Sequence, residues 1–302
     1  MIQVENLTHK YGSRAALNGI GFEVRQGEIF GLLGPNGGGK STVFRILSTM
    51  MTPTGGRALV AGFDVERDPA MVRRQVGVVF QSQSLDKALT VEENLRAQGH
   101  LHGLSGAILR VRMQHALDCL GLADRRGEIV EALSGGLRRR AEIAKALLHK
   151  PRVLLLDEAS TGLDPAARRE LSRHVETLRE AEGVTILLTT HILEEAGGCD
   201  RLALLHQGNI VAQGTPAELR SSIGGDVVVL ETAGAGALAE GIERRFGVRP
   251  TVADGRVRIE IPNGHRFIAE VVEAFPGSID SVGLHKPTLE DVFVRETGAS
   301  IA

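Results

Sequence analysis

The sequence carries no excess of one charge: 35 Lys and Arg stand against 37 Asp and Glu, a formal net charge of -2. No basic surface nominates nucleic acid as a partner. Cysteine is scarce. The two present, Cys119 and Cys199, have no metal-ligand spacing between them and are too few for a disulfide framework, which fits a reducing cytoplasm. Long apolar stretches are missing as well: Val153 to Leu156 and Ile186 to Leu188 fall far below the ~20 residues that span a bilayer. The chain is therefore expected not to cross a membrane. Its first residues, Met1-Ile2-Gln3-Val4-Glu5-Asn6, read as a strand and not as a charged leader with an apolar stretch, so no secretory signal is expected. Repeats and low-complexity blocks are also lacking. What is there, 42% hydrophobic and 24% charged residues over 302 positions, suits a globular chain of one large and one small domain.

Up to about Leu219, short apolar strands alternate with helical segments: Glu28 to Leu33, Val76 to Phe80, Val153 to Leu156 and Thr185 to Thr190 read as buried strands. This is the pattern of an α/β sheet. Between Thr90 and Ala132 the apolar residues recur at helical spacing, and Thr90 with Glu93 makes a capping-box pattern, so a helical insert is expected there. After Pro216-Ala217-Glu218-Leu219, the small-residue run Ser221-Ser222-Ile223-Gly224-Gly225 reads as a linker. Beyond it the expected order is strand (226–231), helix (237–246), hairpin (248–253 and 256–261 around Asp254-Gly255), helix (265–275) and strand (278–283). That order predicts a ferredoxin-like or related α+β unit. The expected division is 1–219 and 220–302.

Gly34-Pro35-Asn36-Gly37-Gly38-Gly39-Lys40-Ser41-Thr42 fits the G-x-x-x-x-G-K-[ST] pattern directly after an apolar strand. Val43, Ile46, Leu47 and Met50 then fall on one face of an expected helix, so the loop ends at a helix N-terminus whose free amides favour phosphate. Glycines let the backbone wrap closely enough to aim several N–H groups at one anion. In such a loop Lys40 reaches the β and γ phosphates and Ser41 offers a hydroxyl to magnesium. By itself the loop indicates a nucleoside triphosphate. A second feature is Val153-Leu154-Leu155-Leu156-Asp157-Glu158, a buried strand that delivers two acids to the C-terminal edge of the sheet. Asp157 suits magnesium, and Glu158 suits activation of a water as general base.

Leu133-Ser134-Gly135-Gly136, followed by a basic amphipathic helix, resembles the signature sequence that defines ATP-binding-cassette (ABC) ATPases. A bare S-G-G turn is also simply a good helix start, with Ser134 as N-cap. The resemblance implies more: a head-to-tail pair of chains with ATP between one copy's Lys40 loop and the other's Ser134-Gly135-Gly136. Further matches are spread along residues 1 to about 219. Tyr11, the only tyrosine, resembles the aromatic that stacks on adenine. Gln81 resembles the glutamine near magnesium, the water and the membrane partner. Ser160-Thr161-Gly162-Leu163-Asp164-Pro165 is similar to the family's loop after the double acid, and Asp164-Pro165 is equally a plain helix start. His191 resembles the switch histidine at the γ-phosphate. The implied architecture is an α/β P-loop NTPase ABC cassette with a helical subdomain at about 82–149, plus the small C-terminal domain. Three departures stand out: Gly38 for alanine or serine, Leu137 for glutamine or methionine, and Ala159 for proline. None removes a charged or chelating group, though the last two point to slower turnover.

A short insert and a single phosphate loop exclude the chromosome-maintenance and translation-linked branches of that family. The ending Pro287-Thr288-Leu289-Glu290-Asp291-Val292-Phe293 is similar to that of drug-resistance exporters of the daunorubicin-resistance type. Implied, then, is an ATPase that uses ATP and Mg2+ and powers export through separate membrane-spanning subunits from the cytoplasmic face of the membrane. The alternative is an ABC-type ATPase serving a non-transport assembly.

Overall fold

The computed structural model describes residues 1–301. Two strands, β1 (Ile2–Tyr11) and β2 (Arg14–Val24), pair antiparallel around Gly12, whose φ of 59° the tight turn requires. β3 (Ile29–Leu33) leaves them for a second sheet and leads into α1 (Lys40–Leu47). β4 (Gly55–Val60) and β5 (Phe63–Asp64) then return to complete an antiparallel sheet ordered β2-β1-β4-β5. Sequence reading gave only the start of its first strand and none of its pairing, since partners such as Ile2 and Val60 are far apart in the chain. Met50 is also placed differently from its expected helical face. The helix stops at Leu47, Thr49 turns to φ 62°, and Met50 is 63% exposed, while Phe44 fills the core.

α2 (Pro69–Gln75) and β6 (Val76–Val79) precede the insert, which folds as α3 (Val91–Leu101), α4 (Gly106–Cys119) and short 3-10 turns at Ala123–Arg125 and Val130–Ala132. Its capping box is formed: Thr90 Oγ1 accepts the Glu93 N–H, and the Glu93 carboxylate accepts the Thr90 N–H. Next come α5 (Gly135–Leu147), β7 (Val153–Asp157), α6 (Pro165–Glu182), β8 (Thr185–Thr190), α7 (Leu193–Gly197), β9 (Arg201–His206), β10 (Asn209–Gly214) and α8 (Pro216–Ser221). The central sheet runs β10-β9-β3-β8-β7-β6, parallel except for β10.

Alternation along each strand divides the interior, because successive side chains point to opposite faces. Val153 and Leu155 join Phe30, Leu32 and Phe44 against the antiparallel sheet. Leu154 and Leu156 pack instead with Leu171, Val175 and the helical insert. With both faces covered, the central strands are buried and mostly apolar, as parallel strands are, with polar residues such as Asp157, Thr189 and Thr190 at their carboxyl ends.

The tail supplies β11 (Asp226–Glu231), α9 (Ala235–Phe246), β12 (Thr251–Ala253), β13 (Arg256–Ile261), α10 (Gly264–Ala274), β14 (Ser281–His285) and α11 (Leu289–Thr297). Strand order β12-β13-β11-β14, antiparallel throughout, is that of a ferredoxin-like unit. The first hairpin strand is shorter than expected, and the last lies a few residues later. One sheet face holds Val228 and Leu230 beneath α9 and α10. From the other, Val227 joins a cluster with Phe293 of α11, Leu202 and Leu204 of β9, and Leu33, the residue before the phosphate loop. There Phe293 also meets His206 edge to face, with ring centroids 5.4 Å apart.

Candidate active site

Parallel strands bring their carboxyl ends to one edge of a sheet, where ligands of open α/β folds bind. Here β3, β7 and β8 end together: Leu33 lies beside Thr190, and Asp157 beside Thr189. The chain leaves β3 through Gly34, where a Cβ would strike the Leu205 carbonyl. It enters α1 through Gly39 at φ 110°, where a Cβ would lie 2.8 Å from the Ala16 carbonyl oxygen. No side chain caps this helix start, and its first turn holds no acid. Its N–H groups and dipole are thus directed at a cleft of about 810 Å³.

Lys40 is 3% exposed. Its Nζ donates to the carbonyls of Gly34 (2.7 Å) and Pro35 (3.0 Å) and pairs with Glu158 Oε1 at 3.2 Å. The other Glu158 oxygen faces Gln81 Nε2 at 3.3 Å, His191 Nδ1 at 3.4 Å and the Thr161 hydroxyl at 3.4 Å. Glu158 adopts a φ of 45°, a left-handed conformation that costs a side-chain-bearing residue about 1–2 kcal/mol. Its N–H, bonded to the Thr189 carbonyl and hydroxyl, both at 3.1 Å, holds it there. Beside it, burial raises the Asp157 carboxyl above the usual range. A 2.6 Å bond from the Thr189 hydroxyl opposes that shift, and the neighbouring Glu158 charge adds to it. Such a carboxylate gains from a cation. Asp157, the Ser41 hydroxyl and the Gln81 amide oxygen are hard oxygen donors of the kind magnesium takes.

Of the predicted residues, Tyr11, Asn36–Gly37, Gly39–Thr42, Gln81 and Glu158 line the cleft. Gly34 and Pro35 serve through their carbonyls, and Gly38 receives the Gly208 N–H at 3.0 Å on its own. Tyr11 stands at the rim, 45% exposed, with its hydroxyl 3.4 Å from Thr42 Oγ1. Ser134, Gly135 and Gly136 do not reach the cleft of their own chain. Ser134 is exposed and accepts the Leu137 N–H at 3.3 Å, capping α5. Asp164, also exposed, caps α6 by accepting the N–H groups of Ala166 and Ala167.

The profile of the ABC transporter family matches residues 17–161. The chain is 39% identical to the daunorubicin resistance ATP-binding protein DrrA2 of Streptomyces coeruleorubidus, over 98% of its own length and 95% of that protein's. It belongs to the ABC transporter ATP-binding family. Similarity to the linearmycin resistance ATP-binding protein LnrL of Bacillus subtilis is 34%, covering 100% and 99% of the two chains. For the Nod factor export ATP-binding protein I of Ralstonia nicotianae it is 40%, covering 99% and 94%. Among solved structures, the dimeric bacterial ABC transporter cassette MJ0796 matches with a TM-score of 0.64 and 27% identity, over 71% of this chain and 98% of that one. As an ABC ATPase, the chain binds ATP and hydrolyses it to power transport.

Sequence reading missed several groups of this ABC site. Arg14, Ala15, Ala16, Gln207 and Gly208 line the cleft from β2 and the β9–β10 turn, with no local motif. Arg139, 6% exposed, donates to the carbonyls of Phe80 (2.7 Å) and Gln81 (3.0 Å) and to Glu142 (2.6 Å). It fixes the Gln81 backbone to the helix that carries Ser134. The sequence offered only the middle arginine of the run Arg138-Arg139-Arg140.

Proposed function

We propose that the cleft takes magnesium–ATP between two head-to-tail copies of this chain, and that hydrolysis drives separate membrane-spanning subunits in the export direction. The observation that carries this reading is the Lys40–Glu158 pair at the mouth of an uncapped helix. In this arrangement a carboxylate neutralises the lysine that a phosphate would otherwise meet. A bound γ-phosphate takes the Lys40 ammonium and the α1 amides. Glu158, released from Lys40 and kept in place by Gln81 and His191, then accepts a proton from the attacking water. Asp157, Ser41 and Gln81 hold the magnesium, which neutralises charge developing on the β and γ phosphates. His191 contacts the γ-phosphate, and Tyr11 stacks on the adenine at the rim.

Ser134, Gly135 and Gly136 supply the opposite wall from the second copy. The exposure of Ser134, the half-burial of the two glycines and the dimeric form of a related cassette support this placement. Asp164 lies in the same interface. Among the described residues no helix is long and apolar enough to cross a membrane, which fits a subunit held at the cytoplasmic face by its permease. Relatives named for drug resistance and Nod factor export support export. We assign catalysis to residues 1–219 and an accessory role to 220–302. Replacing Glu158 by Gln is expected to lower ATP turnover by about 10²–10⁴-fold, the scale of one lost general base, while ATP binding persists. Turnover at the native rate in that variant would refute the assignment.

A further inference from the structure

We propose that His115, Cys119 and Glu182 bind one divalent transition-metal cation of the zinc class, tying the helical insert to the catalytic core. His115 and Cys119 stand one turn apart on α4, on the same face. Glu182, the last residue of α6, meets them from the core side. The three ligand atoms lie within 4.8 Å of one another. His115 Nε2 faces both partners, 3.7 Å from Cys119 Sγ and 2.8 Å from Glu182 Oε1.

These spacings are close to those a tetrahedral ion imposes. Bonds of about 2.0 Å to nitrogen and 2.3 Å to sulfur set the two atoms about 3.5 Å apart. The shorter His115–Glu182 contact is a hydrogen bond, and an ion replacing its proton widens it by about half an ångström. His115 is 47% exposed, leaving an approach path and room for water as fourth ligand. Arg112, Lys150 and Arg152 line the same hollow of about 260 Å³, so the negative charge of both thiolate and carboxylate is needed to hold a cation. Among the described residues, Glu182 has no lysine or arginine partner competing for it.

Donor chemistry separates this hollow from the ATP cleft. Thiolate and imidazole select zinc-class ions over magnesium, which prefers the all-oxygen set at Asp157 and Ser41. Position separates them too: Val184 and Pro151 border the hollow at the starting edges of β8 and β7, whereas the cleft lies at their far ends.

The test is titration of the full-length, chelator-stripped protein with Co2+. One equivalent should produce a thiolate-to-cobalt charge-transfer band that Zn2+ displaces. Cys119→Ser should abolish the band and Cys199→Ser should keep it. His115→Ala and Glu182→Gln should each weaken binding by at least the about 10-fold that loss of even an outer-shell partner costs. Zn2+ should also raise the melting temperature of the native chain but not of Cys119→Ser. No band in the native protein, or an unchanged band in Cys119→Ser or His115→Ala, would overturn the proposal.

Discussion

Two helices of this chain begin in glycine-bearing turns, and they finish their N-termini in opposite ways. α1 starts at Gly39 with no side-chain cap, buried beside Lys40 and aimed into a cleft. α5 starts at Ser134, which caps its own helix and stands in solvent. A buried helix end without a side-chain cap keeps N–H groups turned toward its cleft, where an anionic ligand can accept them. An exposed, self-capped end is stable alone, so a partner can meet it without its having to unfold anything first. The first terminus opens into the cleft of its own chain; the second, in the proposed pair, serves the partner's cleft while still capping its own helix.

The sharpest way to break this comparison is to remove the charge at the first terminus. Lys40→Ala is expected to lower ATPase activity by more than about 100-fold and to weaken ATP binding in a nucleotide titration. An intact rate would mean that the α1 terminus is not the phosphate site. Mixing then tests the second terminus. Chains bearing Lys40→Ala and chains bearing Ser134→Glu should each be inactive, yet together regain about a quarter of native activity, since half the pairs are mixed and each has one intact site. Mixtures no better than the separate variants would show that Ser134 does not act across a two-fold axis.

Smaller effects separate the helix behind Ser134 from its tip. Arg139→Ala leaves the buried Glu142 without its cation, holding only the Ser84 N–H, and should destabilise the chain by about 3–5 kcal/mol in denaturant unfolding. A change below about 1 kcal/mol would show that this pair contributes no more than an exposed one. Ser134→Ala should cost only about 0.5–2 kcal/mol of stability, the scale of one lost N-cap. If it abolished folding, the self-sufficient terminus described above would be wrong.

Local chemistry was legible in the sequence and distant pairing was not. The loop from Gly34 to Thr42, the double acid after β7, the capped insert and the element order of the tail each lie within a short run of residues, where spacing fixes meaning. The sheet built from β1, β2, β4 and β5, by contrast, depends on Ile2 meeting Val60. The cleft wall at Gln207 and Gly208 depends on β9 lying beside β3. Arg139 gave only a charge on a basic helix until the fold brought the Phe80 and Gln81 carbonyls to it. Cys119 had no cysteine partner to suggest a ligand set. Its companions are a histidine one turn back and a glutamate 63 positions on, within reach only after α4 and α6 pack.

The cluster that holds Leu33, Leu202, Leu204 and Phe293 bears on the order of synthesis. The ribosome completes β3 long before α11 exists, so the strand that launches the phosphate loop waits through some 250 further residues for the ring that covers its end. A nascent chain halted before Leu289 would hold every assigned catalytic group and still lack the Val292 and Phe293 side chains that complete this cluster. Such a chain is expected to be captured by chaperones more than the full one, because part of this apolar cluster is still uncovered.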